Sequence, residues 1–304
     1  MKMAKQTKTN KTKAKQISLK QKPSRHNTQT NKEEWMGKEI IIKLTIVFLV
    51  VEILGIIVAK ALFLQGLAEA PFTENINDIL NAFYLFFVVL VITGIILIVL
   101  KIKRTRKMLI LLEALAIFTT STIVLGAFFP TDDILVFLVV TLLLILRYSN
   151  RKNIAIRNLV SGIAIAGAGA FLGISLGLLP VLAFAIVLAA YDIIAVFYTK
   201  HMVTLGKQSL ENNYAFTIAM PTKKHKFELG NGDLVIPLMI SASILVNGPF
   251  NNNALIAGLC LVASYIGLVL SIYSVAKWKK PMPALPPQVT LTVIVILLGL
   301  ALGL

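Results

Sequence analysis

Nine apolar runs govern what this chain can fold into. They cover Ile40–Leu64, Ile79–Leu100, Met108–Phe128, Ile134–Leu146, Leu159–Leu179, Val181–Tyr198, Leu234–Val246, Ala254–Ala276 and Val289–Leu304, with polar or basic segments between them. A helix needs ~20 apolar residues to cross a bilayer's hydrocarbon core, and most of these runs approach that length. In lipid every backbone N–H and C=O must be satisfied within the protein, so runs of this kind become helices. The expected fold is therefore an all-α polytopic membrane protein with about nine transmembrane helices. Leu159–Tyr198 is too long for one span, and Pro180 is the expected break within it. The fourth run is short enough to be a buried or interfacial segment. The seventh reaches spanning length only if its helix starts near Phe227, which would put Gly230-Asn231-Gly232-Asp233 inside the helix.

Charge is distributed to match. The chain is 57% hydrophobic and 14% charged, with a formal charge of +16. Its basic residues cluster in residues 1–38 and in the segments 101–107, 147–157, 200–226 and 277–280, every second connection along the chain. The other connections carry Glu69, Glu74 and Asp78, then Asp132 and Asp133, then no charge around Pro180 and 247–253. Such alternation follows the positive-inside rule and predicts the N-terminus inside and the C-terminus outside. Lys60, near the outer end of the first span, is the one exception, and it is able to snorkel. The same distribution argues against nucleic acid as a partner and for the lipid bilayer of the cell membrane.

Residues 1–38 alternate Lys with Thr, Gln and Asn and predict a disordered basic cytoplasmic tail, leaving 39–304 as the membrane domain. Clustered lysines are also attracted to anionic lipid headgroups. Cys260, the single cysteine, lies in an apolar run and reads as packing. Gly169, Gly173 and Gly177 repeat every four residues in the fifth run, which suits close helix packing in lipid. Glu52 and Glu113 read as structural groups facing a neighbouring helix or trapped water.

Two further acidic residues sit at matching depth. Asp192 lies eight positions before Lys200 and Asp233 seven after Lys226. At ~1.5 Å per helical residue each is ~10–12 Å below the inner surface. The two spans run antiparallel, so the carboxylates are able to meet. Two carboxylates held close in a low-dielectric site do not both ionise easily and tend to share a proton. In an aspartic protease the ionised member takes a proton from water while the protonated member donates to the peptide carbonyl. A pair of buried aspartates also suits simple helix packing, or cation or proton passage in a transporter or channel. Gly230 and Gly232 would let a substrate backbone come near Asp233. Pro281, Pro283, Pro286 and Pro287 hold the chain extended at the mouth of the last span, at the same face as both aspartates.

Tyr191-Asp192, Gly230-Asn231-Gly232-Asp233 and Pro283-Ala284-Leu285 together resemble the YD, GxGD and PAL motifs of presenilins and signal peptide peptidases. They stand in the family's order, in spans six, seven and the start of nine, and the resemblance covers about residues 40–304. It implies an intramembrane aspartyl protease with Asp192 and Asp233 as the catalytic pair. It further implies that Tyr191, Gly230, Gly232, Pro283, Ala284 and Leu285 shape the site and engage an unwound substrate strand. No metal or other cofactor is implied. Substrates would be transmembrane segments of membrane proteins or signal peptides. The short loop 200–226 departs from the long loop that presenilins cut in themselves, which puts self-cleavage there in doubt. The compact chain resembles prokaryotic, archaeal-type homologues and is expected to act without accessory subunits. An inner N-terminus matches presenilin orientation and favours substrates whose N-terminus is outside.

Other membrane proteases fit less well. A zinc enzyme needs an HExxH-type cluster, and His26, His201 and His225 all fall in the tail or loops. A rhomboid-like serine enzyme needs a histidine in the membrane, and no run contains one. Prepilin and preflagellin peptidases share GxGD but differ in span number and in the PAL stretch. A transporter would leave that stretch without a role.

Overall fold

The computed structural model describes residues 25–101, 106–199, 214–221, 226–278 and 280–304. By its contacts the chain divides after Glu39, and the unit Ile40–Leu304 holds everything discussed below. Among the described residues there are nine α-helices: α1 (Arg25–Leu64), α2 (Leu80–Lys101), α3 (Arg106–Phe128), α4 (Asp133–Ser149), α5 (Ile154–Ser175), α6 (Leu178–Ile194), α7 (Gly232–Asn247), α8 (Asn253–Trp278) and α9 (Leu285–Leu302). A π-helical turn, Ala195–Thr199, extends α6. Two strands, β1 (Thr217–Pro221) and β2 (Lys226–Gly230), form an antiparallel hairpin before α7.

Seven of these helices are long and apolar enough to cross a membrane, so the chain is a multi-pass membrane protein. α4 with 17 residues and α7 with 16 are shorter. At ~1.5 Å per residue α7 covers ~24 Å. Its length corrects the sequence reading. The segment before Gly232 is strand, not helix, so Gly230-Asn231-Gly232-Asp233 stands at the helix entrance and not within it. Lys226-Phe227-Glu228-Leu229 alternates charged and apolar residues, the period of a strand with one buried face. Leu229, Ile218 and Met220 bury accordingly.

The break between α5 and α6 also differs from expectation. It falls at Leu176-Gly177, and Pro180 sits in the first turn of α6. A proline is tolerated there because the first turn has no intrahelical use for its missing N–H. The true break is held from outside. Gly177 N–H donates to Ile76 O at 2.8 Å, and Ser243 Oγ of α7 donates to Leu176 O at 2.8 Å. A Cβ at Gly177 would meet Asn77 Oδ1 at 1.9 Å, so a larger residue there would have to displace the Asn77 side chain. Of the segment expected as tail, residues 1–24 lie outside the described residues, and 25–38 are helical.

α5 and α6 lie at the centre, with 56% and 50% of their spanning residues buried against 17% for α2. Gly169 and Gly173 face α7, where added Cβ atoms would meet Leu238 Cδ2 at 2.6 Å and Ala242 Cβ at 2.6 Å. The small-residue repeat therefore brings α5 and α7 into near backbone contact. Gly177 is not part of that seam, since it caps α6. Glu113 is structural as expected: its Oε1 accepts from Arg147 Nε at 3.1 Å and Nη2 at 2.8 Å, and from Ala215 N–H at 3.1 Å. Glu52 is buried in α1, and neither of its oxygens has a hydrogen-bond partner among the described residues.

Candidate active site

The three singled-out segments converge at the hairpin end of the bundle. Asp192 lies in the last turn of α6, buried at 6% exposure, just before the helix widens into the π-helical turn. Its Oδ2 accepts the Leu285 backbone N–H at 3.2 Å. Leu285 opens α9, and the next two residues are Pro286 and Pro287. Prolines supply no N–H, so Leu285 holds the one free donor among the first three positions of that helix. A helix N-terminus favours a nearby negative charge, and Asp192 is placed to meet it.

Asp233 stands at the opposite end of its own helix, the start of α7. It lies in that helix's first turn, partly accessible, and accepts a hydrogen bond from the Gly230 backbone. Four residues on, Pro237 lacks the N–H that would otherwise bond the Asp233 carbonyl, which loosens the entrance to α7. The charge of Asp192 acts directly on Asp233. Asp192, at the end of α6, and Asp233, at the start of α7, thus lie within reach of each other's charge.

The remaining residues divide by what they touch. A Cβ at Gly230 would stand 3.3 Å from Asp233 Oδ2, whereas Gly232 opens onto free space. The Tyr191 ring packs edge-on against Phe86 of α2, with centroids 6.0 Å apart. Leu285 is buried, and Pro283 and Ala284 are partly exposed. All of the residues singled out in the sequence thus lie on the segments that converge here, although Tyr191 faces α2.

Sequence reading missed what holds the hairpin. Arg157 Nη2 of α5 pairs with Glu228 Oε1 at 2.8 Å, and both side chains are nearly inaccessible. Thr217 Oγ1 donates to the other oxygen of Glu228 at 2.5 Å. Asn158 pairs with both backbone groups of Ala219, accepting its N–H at 2.9 Å and donating to its C=O at 2.7 Å. Ser161 Oγ and Asn231 Nδ2 both donate to Ala215 O, and Lys43 Nζ donates to Pro221 O. Arg147 and Arg157 read in the sequence as orienting loop charges. In the fold they are buried ion-pair partners. Asn158 beside Arg157, at the start of a span, was the available signal.

Residues 45–303 match the family described as signal-peptide peptidase, presenilin aspartyl protease. The chain belongs to that family. It is accordingly an aspartic endopeptidase working within the membrane. Two solved structures, each described as a presenilin family intramembrane aspartate protease, share the fold. The one in space group C222 has a TM-score of 0.65 at 24% identity, over 86% of this chain and 99% of its own. The one in P2 has a TM-score of 0.62 at 24% identity, over 84% and 96%. No curated protein matches the chain. Tyr191-Asp192, Gly230-Asn231-Gly232-Asp233 and Pro283-Ala284-Leu285 all lie within the matched residues.

Proposed function

We propose that this aspartyl protease hydrolyses peptide bonds within transmembrane segments of membrane proteins or signal peptides, using Asp192 and Asp233 as a water-activating pair. One carboxylate, ionised, takes a proton from water as the water attacks the peptide carbon. The other, protonated, donates to the carbonyl oxygen on which charge develops. On collapse the proton taken from water passes to the leaving nitrogen, and the second carboxylate regains its proton from the diol hydroxyl as the new carboxyl group forms. The observation that supports this reading is Asp192, held by the Leu285 N–H, lying close enough to Asp233 for its charge to act on it. The N–H holds one carboxylate in place while the other stays accessible. Gly230 and Gly232 keep the approach clear, and Tyr191, Pro283, Ala284 and Leu285 shape its walls.

A peptide bond inside a helix is shielded, so the substrate must unwind, and in lipid its freed backbone needs new partners. β1 has its outer edge occupied at Ala219 by Asn158, while β2 has no second strand beside it among the described residues. The edge of β2 leads toward Asp233 and would offer those partners. In this reading the chain acts in the cell membrane without accessory subunits.

The test uses purified full-length chain in liposomes with a single-span substrate. Product masses should map cleavage inside the span, and Asp192→Asn and Asp233→Asn should be folded and inactive. Cleavage only outside the span, or undiminished in both variants, would reject the reading.

A further inference from the structure

We propose that Gln288, oriented by Ser264, is a positioning residue that aims the Leu285 N–H at Asp192; this rests on the two-aspartate reading above. Gln288 lies on α9 at 1% exposure, and Ser264 faces it from α8, also at 1%. A buried amide is costly unless bonded, and this one is bonded at both ends. Gln288 Nε2 donates to Ala284 O at 3.1 Å, and Ser264 Oγ donates to Gln288 Oε1 at 2.9 Å. Only this orientation works. The Ala284 carbonyl accepts and never donates, so the NH2 must face it, leaving Oε1 for the serine hydroxyl.

The consequence follows from the planarity of one peptide unit. Ala284 C=O and Leu285 N–H belong to the same bond, which is trans, and they point in opposite directions. As the N-cap of α9, Ala284 already gives its carbonyl to the first intrahelical bond. The Gln288 side chain adds a second, sideways bond that sets the tilt of the plane and so the direction of the N–H that reaches Asp192 Oδ2. That bond, at 3.2 Å, is at the long end of the N–H···O range, so a small rotation of the plane loses it. Pro286 and Pro287 offer no substitute donor, and the one other backbone donor at Asp192 among the described residues is the neighbouring Ala284 N–H. Ser271 Oγ also approaches Ala284 O, at 3.5 Å, but its hydrogen is better placed on Gly267 O at 3.1 Å. Gly267 itself sets the distance between the helices. A Cβ there would fall 2.6 Å from Gln288 N and Cα, so α8 lies directly against α9 at this level.

The experiment measures kcat and KM for the purified full-length chain in liposomes with a single-span substrate. Gln288→Met keeps the side chain's length without its hydrogen bonds; Ser264→Ala frees the amide; Ser264→Thr keeps the hydroxyl. Gln288→Met and Ser264→Ala should each lower kcat ~10–100-fold, the effect of a small misplacement at a reacting group, with KM within about twofold. Ser264→Thr should retain most of kcat. Equal losses in Ser264→Ala and Ser264→Thr would make the role one of packing and overturn the proposal. A raised KM with kcat held would also overturn it. Wild-type kcat in both Gln288→Met and Ser264→Ala, with Asp192→Asn inactive, would overturn this inference alone. Wild-type cleavage by Asp192→Asn would instead remove the reading beneath it.

Discussion

The Leu285 N–H donates to Asp192 Oδ2 across 93 residues of sequence, joining the end of α6 to the start of α9. That one bond ties the proline-rich entrance of the last helix to a buried carboxylate. It makes the site a product of helix termini: Asp192 lies at the mouth of α9 and Asp233 in the first turn of α7. Three elements must therefore stay in register for the two carboxylates to meet.

Cysteines at 192 and 233 should report that register. In a Cys260→Ala background, the double variant Asp192→Cys/Asp233→Cys should be joined efficiently by a short bifunctional thiol reagent. Gel mobility after cleavage of the chain between the two positions reads the result. No link under conditions that modify both thiols would contradict a facing pair.

The buried pair Arg157–Glu228 should matter most through its loss of balance. Arg157→Met leaves Glu228 uncompensated, an effect of about 3–5 kcal/mol on stability for a buried pair. The double variant Arg157→Met/Glu228→Gln should recover much of that. Unfolding curves in mixed micelles check both, and equal stability of single and double variants would show that the pair does not anchor the hairpin.

Gly173 and Gly258 should respond differently to alanine. At Gly173 the new Cβ meets Ala242 Cβ at 2.6 Å and Met239 O at 2.7 Å, whereas at Gly258 it meets nothing within 4 Å. Overpacking should cost Gly173→Ala about 1–3 kcal/mol. Gly258→Ala should be neutral or slightly stabilising, since alanine is the better helix former. The same unfolding assay distinguishes them.

Gly230 and Gly232 separate chemistry from access. Gly230→Ala crowds Asp233 Oδ2 at 3.3 Å and should reduce kcat by ~10-fold with little change in KM. Gly232→Ala, facing open space, should keep kcat, while Gly232→Leu should raise KM by filling the approach. Steady-state kinetics on a single-span substrate decides between these outcomes.

Much of this architecture was legible because lipid leaves the backbone few choices. Long apolar runs had to become helices, and the nine runs correspond to α1 through α9. Asp192 and Asp233 stood out because a carboxylate in an apolar run needs a reason. The hairpin did not stand out. Its strands are five residues each, and a proximity to Asp233 invited continuing the helix backwards. Arg147 and Arg157 misled for a different reason: a basic residue near a span end looks the same whether it faces headgroups or a buried glutamate. Pro180 was read as a helix breaker, although a proline in a first turn breaks nothing. Gln288 carried no signal at all, since its role depends on Ser264 of another helix.

The most direct test of the two-aspartate account is the cleavage rate of Asp192→Asn, Asp233→Asn and the double variant on one single-span substrate. Groups that act as a unit lose nearly everything with the first removal. Each single variant should fall by at least ~1,000-fold, and the double variant should be no slower than either. A single variant that retains near wild-type rate, or losses that multiply in the double, would contradict a shared water-activating pair.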